Sequence, residues 1–105
     1  MAQFDVHRNT NSATRGRTPY VLDVQAEVMS VLPTRLVCPI RPRTDLPYDP
    51  VARVHLPVII DGGEFVVFVS ELTGVPASIL GPPVFSLRDY RQEIVAAVDL
   101  LVTGF

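Results

Sequence analysis

Few side chains in this 105-residue chain could perform covalent chemistry, and none stands in a pattern that would let it. The two histidines, His7 and His55, have no Cys, Asp or Glu at metal-ligand spacing around them, so ordinary strand or loop histidines are expected. Cys38 lies between Val37 and Pro39 in an apolar run. A buried structural thiol is expected there, since reactivity needs an exposed, electropositive setting. Asp61-Gly62-Gly63-Glu64 is acidic, which is wrong for cradling a phosphate, and no nucleophile elbow is present. Arg41 and Arg43 flank Pro42, with Asp45 and Asp49 nearby, and read as a solvated charged loop. Arg88 and Arg91 sit near Asp89 and Glu93, where local pairing explains them. The expectation is a protein with no catalytic residue, metal or cofactor. One feature resists a bland reading: Thr103-Gly104-Phe105 follows an apolar helical stretch. The aromatic residue and its carboxylate either fold back locally or present a hydrophobic, anionic tip to a partner, and both readings stay open.

Ten prolines argue against a mainly helical protein. Short strands are predicted over Gln3–His7, Tyr20–Gln25, Arg35–Ile40, Val54–Ile60 and Glu64–Val69, from β-forming residues and partial alternation. Pro39 suggests an edge strand or a bulge. Arg8–Thr18 is polar and reads as a loop, and Arg41–Pro50 as a second loop stiffened by proline. Ala26–Leu32 fits either a strand continuation or an irregular edge. Asp61-Gly62-Gly63 is a hairpin turn, because glycine supplies the positive φ such turns need. Only the end of the chain looks helical. Ser86 with Asp89 makes a weak capping box. Tyr90, Ile94, Ala97, Val98 and Leu101 then follow helical spacing. Val95 and Val102 widen the stripe, as in a helix that meets both its own sheet and a partner subunit. Gly104 is placed to stop the helix. The expected architecture is a single domain over residues 1–105, mainly β with one C-terminal α-helix.

An apolar fraction of 48% suffices for one packed core. Nine arginines, no lysine and eleven acids leave a formal charge of −2, which argues against broad binding to nucleic acid. A lone cysteine fits a reducing compartment. No signal peptide and no membrane span are expected from the N-terminal residues or from any apolar run. A cytoplasmic location is therefore expected.

Six segments stand in order along the chain: Gln3-Phe4-Asp5-Val6, Val21-Leu22-Asp23-Val24-Gln25, Arg35-Leu36-Val37-Cys38-Pro39-Ile40, Leu56-Pro57-Val58-Ile59-Ile60, Val75-Pro76-Ala77-Ser78-Ile79-Leu80-Gly81 and Ile94-Val95-Ala96-Ala97-Val98-Asp99-Leu100-Leu101. Together they resemble the CcdB family of plasmid-maintenance toxins. Each is weak alone; their order and spacing carry the resemblance. It implies an SH3-like barrel of the CcdB/MazF toxin type and a homodimer. It also implies a CcdA-like antitoxin, with operator DNA bound only through the toxin–antitoxin complex. The implied target is the A subunit of DNA gyrase, trapped on cleaved DNA so that replication stops, with no enzymatic step by the toxin. The gyrase-binding residues carried over are Thr103, Gly104 and Phe105 at the tail, Asp99 and Val102 in the helix, and Ala26, Val28 and Met29 on a neighbouring strand. Phe4 supports them from below. The best-known form of the family has tryptophan where this chain has Thr103, and an amide where it has Asp99. Two other readings are a MazF- or Kid-type endoribonuclease on the same barrel, and a homologue with weak or lost gyrase activity that serves as an antitoxin-binding module.

Overall fold

Alternation of apolar and polar side chains assembles a sheet, and the sheet positions the loop and the helix that hold the functional candidates. The computed structural model describes residues 2–45 and 54–104. Its strands are β1 (Asp5–Arg8), β2 (Tyr20–Asp23), β3 (Thr34–Pro42), β4 (His55–Ile60), β5 (Gly63–Phe68), β6 (Thr73–Pro76) and β7 (Pro83–Ser86). One α-helix, α1 (Arg91–Thr103), follows them. The sheet runs β4-β5-β3-β2-β1-β7, with β6 paired to β3, and every pairing is antiparallel. This is the mainly β architecture with a C-terminal helix that the sequence predicts, curled into a half-barrel of the SH3-like kind.

The curl comes from β3. One of its edges pairs with β2 from Val37 to Ile40. The other is shared: β6 takes Thr34–Val37 and β5 takes Ile40–Pro42. Between β5 and β6 the chain bends through a 3₁₀ turn at Val69–Glu71. Pro39 therefore lies in an interior strand, not an edge strand. It is tolerated because neither β5 nor β6 offers a register partner at Cys38 or Pro39, so no ladder bond is lost on that side. Pro57 does lie on an edge strand, β4.

Period-two burial is clearest in β4, where Leu56, Val58 and Ile60 point inward while Pro57 and Ile59 face solvent. They join Val6, Leu22, Cys38, Ile40 and Val67 in the core, which α1 closes with Ile94 and Ala97. Each buried Val, Leu or Ile among them contributes roughly 1.5–3 kcal/mol by leaving water. The β4–β5 hairpin turns on Asp61 (φ 51°) and Gly62 (φ 81°), the double positive φ of a two-residue type I′ turn.

Several expectations shift. β1 begins at Asp5, because Phe4 adopts a left-handed φ of 70° that breaks the extended run. β6 and β7 lie where the sequence predicts no strand. Arg41 and Pro42 belong to β3, with a 3₁₀ turn at Arg43–Asp45 beyond them; the rest of the proline-rich loop is outside the described residues. The capping box does not form. Ser86 Oγ accepts from the Arg88 amide at 3.3 Å, a 3₁₀ turn at Arg88–Tyr90 follows, and neither that turn nor α1, which starts at Arg91, has a side-chain cap. Gly104 stops the helix as expected, in a left-handed conformation (φ 80°) with its amide donating to Leu100 O at 2.9 Å. Among the described residues, no helix is long and apolar enough to cross a membrane.

Candidate functional site

Cys38 and His7 are buried, whereas His55 is half-buried. Cys38 is buried, and burial pushes its thiol pKa up to about 12, so a thiolate does not form at neutral pH. His7 is buried, and its ring Nδ1–H donates to the Gly81 carbonyl at 2.7 Å, tying β1 to the segment before β7. His55 shares a hydrogen bond with Ser70 Oγ at 2.8 Å and its ring lies against Phe68. No group of three potential metal ligands occurs among the described residues.

Arg41 is not part of a solvated charged loop. Its guanidinium grips Glu71 with both Nη atoms, at 2.7 and 2.9 Å, donates from Nε to Thr18 Oγ1 at 3.1 Å and lies over the Phe68 ring. The hydrogen bonds from Arg41 hold the Glu71 carboxyl below its usual pKa, against a smaller opposing effect of burial. Because side chains alternate along a strand, Arg41 shares one sheet face with Arg35, Val37 and Pro39, opposite the core face of Cys38 and Ile40. On that second face Val21, Val37, Pro39, Val75, Ile79 and Leu80 line a groove of about 500 Å³ whose rim carries Arg8, Asn9 and Glu71. The sequence reading missed this groove. Its signal is that β2 and β3 are apolar on both faces, which a one-sided sheet does not require.

The tail residues form an exposed helical end. Ile94 and Ala97 are the buried residues of α1; Val95 and Leu101 are exposed and Val102 is 73% exposed. The wide apolar stripe thus covers one surface within this chain and leaves its second flank uncovered. Asp99 and Thr103 come together here, because Thr103 Oγ1 donates to the Asp99 carbonyl at 2.6 Å. Gly104 adjoins them, and Phe105 is outside the described residues.

Ala26, Val28 and Met29 are not strand residues. β2 ends at Asp23, whose Oδ1 accepts the Gln25 amide at 3.0 Å, a local bond that turns the chain away from the ladder. Glu27–Met29 forms a 3₁₀ turn closed by Met29 N to Ala26 O at 2.9 Å. Val28, 80% exposed, and Met29, Val31 and Leu32 all present apolar side chains to solvent.

Phe4 is buried in the core despite its positive φ, held by its amide to Asp23 O (2.6 Å) and its carbonyl to Leu87 N (2.8 Å). Arg91 lies over its ring at 5.7 Å, and with Glu27 and Arg88 these residues line a shallow depression. Phe4 and Glu27 thus adjoin the start of α1. Thr103 lies twelve residues further on, ~18 Å along the helix axis at 1.5 Å per residue. Within one chain the loop and the tail are therefore two separate exposed surfaces.

The family model for CcdB protein matches residues 3–104, essentially the whole described sheet and helix. No curated protein matches the sequence.

Proposed function

The chain belongs to the CcdB family, whose members are toxins of toxin–antitoxin modules, and from that membership we propose that it poisons DNA gyrase by binding. The observation that carries this reading is the match over residues 3–104. Two exposed apolar surfaces and a buried thiol agree with it. In this reading the target is the A subunit of gyrase. The contact residues are Asp99, Val102, Thr103, Gly104 and Phe105 at the tail and Ala26, Val28 and Met29 on the loop, with Phe4 seating the loop side. The protein works in the cytoplasm as a homodimer that offers both surfaces twice to a two-fold target. A CcdA-like antitoxin neutralises it, and operator DNA is met only in the joint complex. It performs no chemical step; it stabilises the gyrase state in which DNA is cleaved, and differential affinity for that state is the whole mechanism.

Threonine at position 103 removes the broad aromatic contact that the best-known family form places there, a change that in a hot spot costs on the order of 2 kcal/mol or more. Phe105 restores aromatic area two residues later, and Asp99 adds a negative charge for a cationic partner. Gyrase-mediated DNA cleavage, measured with gyrase from the protein's own host, tests the reading. Cleaved DNA is expected to accumulate, and Phe105→Ala is expected to reduce it. No cleavage by a protein that still binds its antitoxin would point to a homologue without gyrase activity.

Arg41 and Glu71 also bear on the endoribonuclease reading, because they are an acid–cation pair whose acid, Glu71, lines the groove. They suit it poorly. A general base works best with a pKa near the operating pH, whereas Arg41 pulls the Glu71 pKa down. Absence of RNA cleavage by the purified protein is the expected result.

A further inference from the structure

The loop from Ala26 to Leu32 presents a physical puzzle. No side chain of its 3₁₀ turn is buried, and Val31, at 86% exposure, reaches into solvent like Val28. Apolar packing therefore does not hold the loop in shape. A buried polar network beneath it does. Arg35 and Asp23, 2% and 0% exposed, form a two-pronged ion pair, Nε to Oδ2 at 2.7 Å and Nη2 to Oδ1 at 3.0 Å. Arg35 Nη1 continues outward to Ser30 Oγ at 3.1 Å, and Nη2 also reaches the Gln25 carbonyl at 3.4 Å. Gln25 bridges the two ends: its Nε2 donates to Met29 O at 2.9 Å, and its Oε1 accepts the Leu36 amide at 2.9 Å. The network ties both the exit and the return of the loop to β3.

We propose that Asp23, Gln25 and Arg35 are positioning residues, which hold the Ala26–Leu32 loop in the shape that docks on the gyrase A subunit, with Val31 as a further contact beside Val28 and Met29. The inference rests on the gyrase reading above. Its physical ground is that a buried ion pair is a poor way to gain stability, since well-packed apolar side chains of similar volume serve as well or better. An apolar pair cannot supply donors to Ser30 and to the Gln25 carbonyl. Fixing the loop beforehand removes the ordering cost that a loose loop would meet on binding. Fixing it with polar groups from below leaves all its apolar side chains free for the partner.

The test uses the full-length protein with Ser30→Ala, which removes only the outermost link, and Gln25→Leu, which releases Met29. Binding to purified gyrase A subunit, the thermal midpoint and backbone ¹⁵N relaxation over residues 27–32 are measured for each. Ser30→Ala is expected to bind roughly tenfold more weakly, mainly through faster dissociation. Its loop amides should be more mobile and its thermal midpoint nearly unchanged. Ser30→Thr, which keeps the hydroxyl, should restore binding. Variants that bind as tightly as the parent, while Val28→Asp does not, would overturn the proposal. So would affinity that falls only in step with the thermal midpoint. If the parent protein does not bind gyrase, the functional reading fails by itself; relaxation then still decides whether the network orders the loop, and unchanged loop order sinks the proposal.

Discussion

Strand β3 carries an arginine near each end, on the same face, and the two have opposite surroundings. Arg35 and Arg41 each clasp a carboxylate with two N–H groups at nearly equal distances. Arg35 and Asp23 are shut away from water, while Glu71 is 48% exposed. Geometry alone would rate the pairs alike. Solvent separates them, because water at Glu71 screens the attraction and stands ready to replace it. At Asp23 nothing can replace the lost partner. The buried end of β3 orders a loop that we assign to docking; the exposed end borders a groove and joins two surface segments.

The sharpest way to break this comparison is to orphan one charge in each pair. Asp23→Ala leaves the Arg35 guanidinium buried without its carboxylate, and should destabilise the fold by about 3–5 kcal/mol. Thermal unfolding would read this as a fall of more than about 10 °C. A fall no larger than that of a surface variant would mean that water reaches Arg35. Replacing both partners, Asp23→Leu with Arg35→Met, should return most of the loss, to within about 2 kcal/mol of the parent. Toxicity should stay impaired, because the apolar pair cannot hold Ser30.

At the exposed end the effect shrinks. Arg41→Ala should cost no more than about 1 kcal/mol from the ion pair, with a further small loss from its place over Phe68. Added salt should narrow the gap between variant and parent in chemical denaturation. The same pair sets the pH dependence. The Glu71 pKa is lowered from its ordinary 4.5 in the folded state, so the unfolded chain takes up the proton first as pH falls. The contribution of Glu71 is thus fully present above about pH 5 and is lost as pH drops through the folded pKa. Stability of Glu71→Gln should run parallel to the parent at neutral pH and converge on it in acid. Curves that stay parallel down to pH 2–3 would remove Glu71 as the source.

How much was legible from the residues depended on how local the signal was. The β4–β5 hairpin was legible because its apolar alternation and its Asp61-Gly62 turn lie within one short stretch. So was the helix, whose spacing and terminal Gly104 are likewise local. β7 was not, since all its residues are exposed and show no alternation; it exists by pairing with β1, about eighty residues earlier in sequence. The Ser86–Asp89 box had the right letters, but the strand pairing with β1 runs through Ser86 and delays the helix to Arg91. At the candidate site, Val102 and Thr103 were readable as an exposed helical end. The loop residues Ala26, Val28 and Met29 were named, although on the wrong kind of element.

By itself the amino-acid order determined that the protein would be a sheet closed by one terminal helix, with its cysteine buried. Those properties follow from periods of two and 3.6 and from turn chemistry, which neighbours along the chain settle among themselves. The fate of the charges was settled by folding. Asp23 meets Arg35 because the β2–β3 register sets Asp23 opposite Val37, beside the arginine's reach, and because the loop above seals both from water. Burial and charge pairing are properties of the packed sheet, so they arise only when segments distant in sequence share one surface.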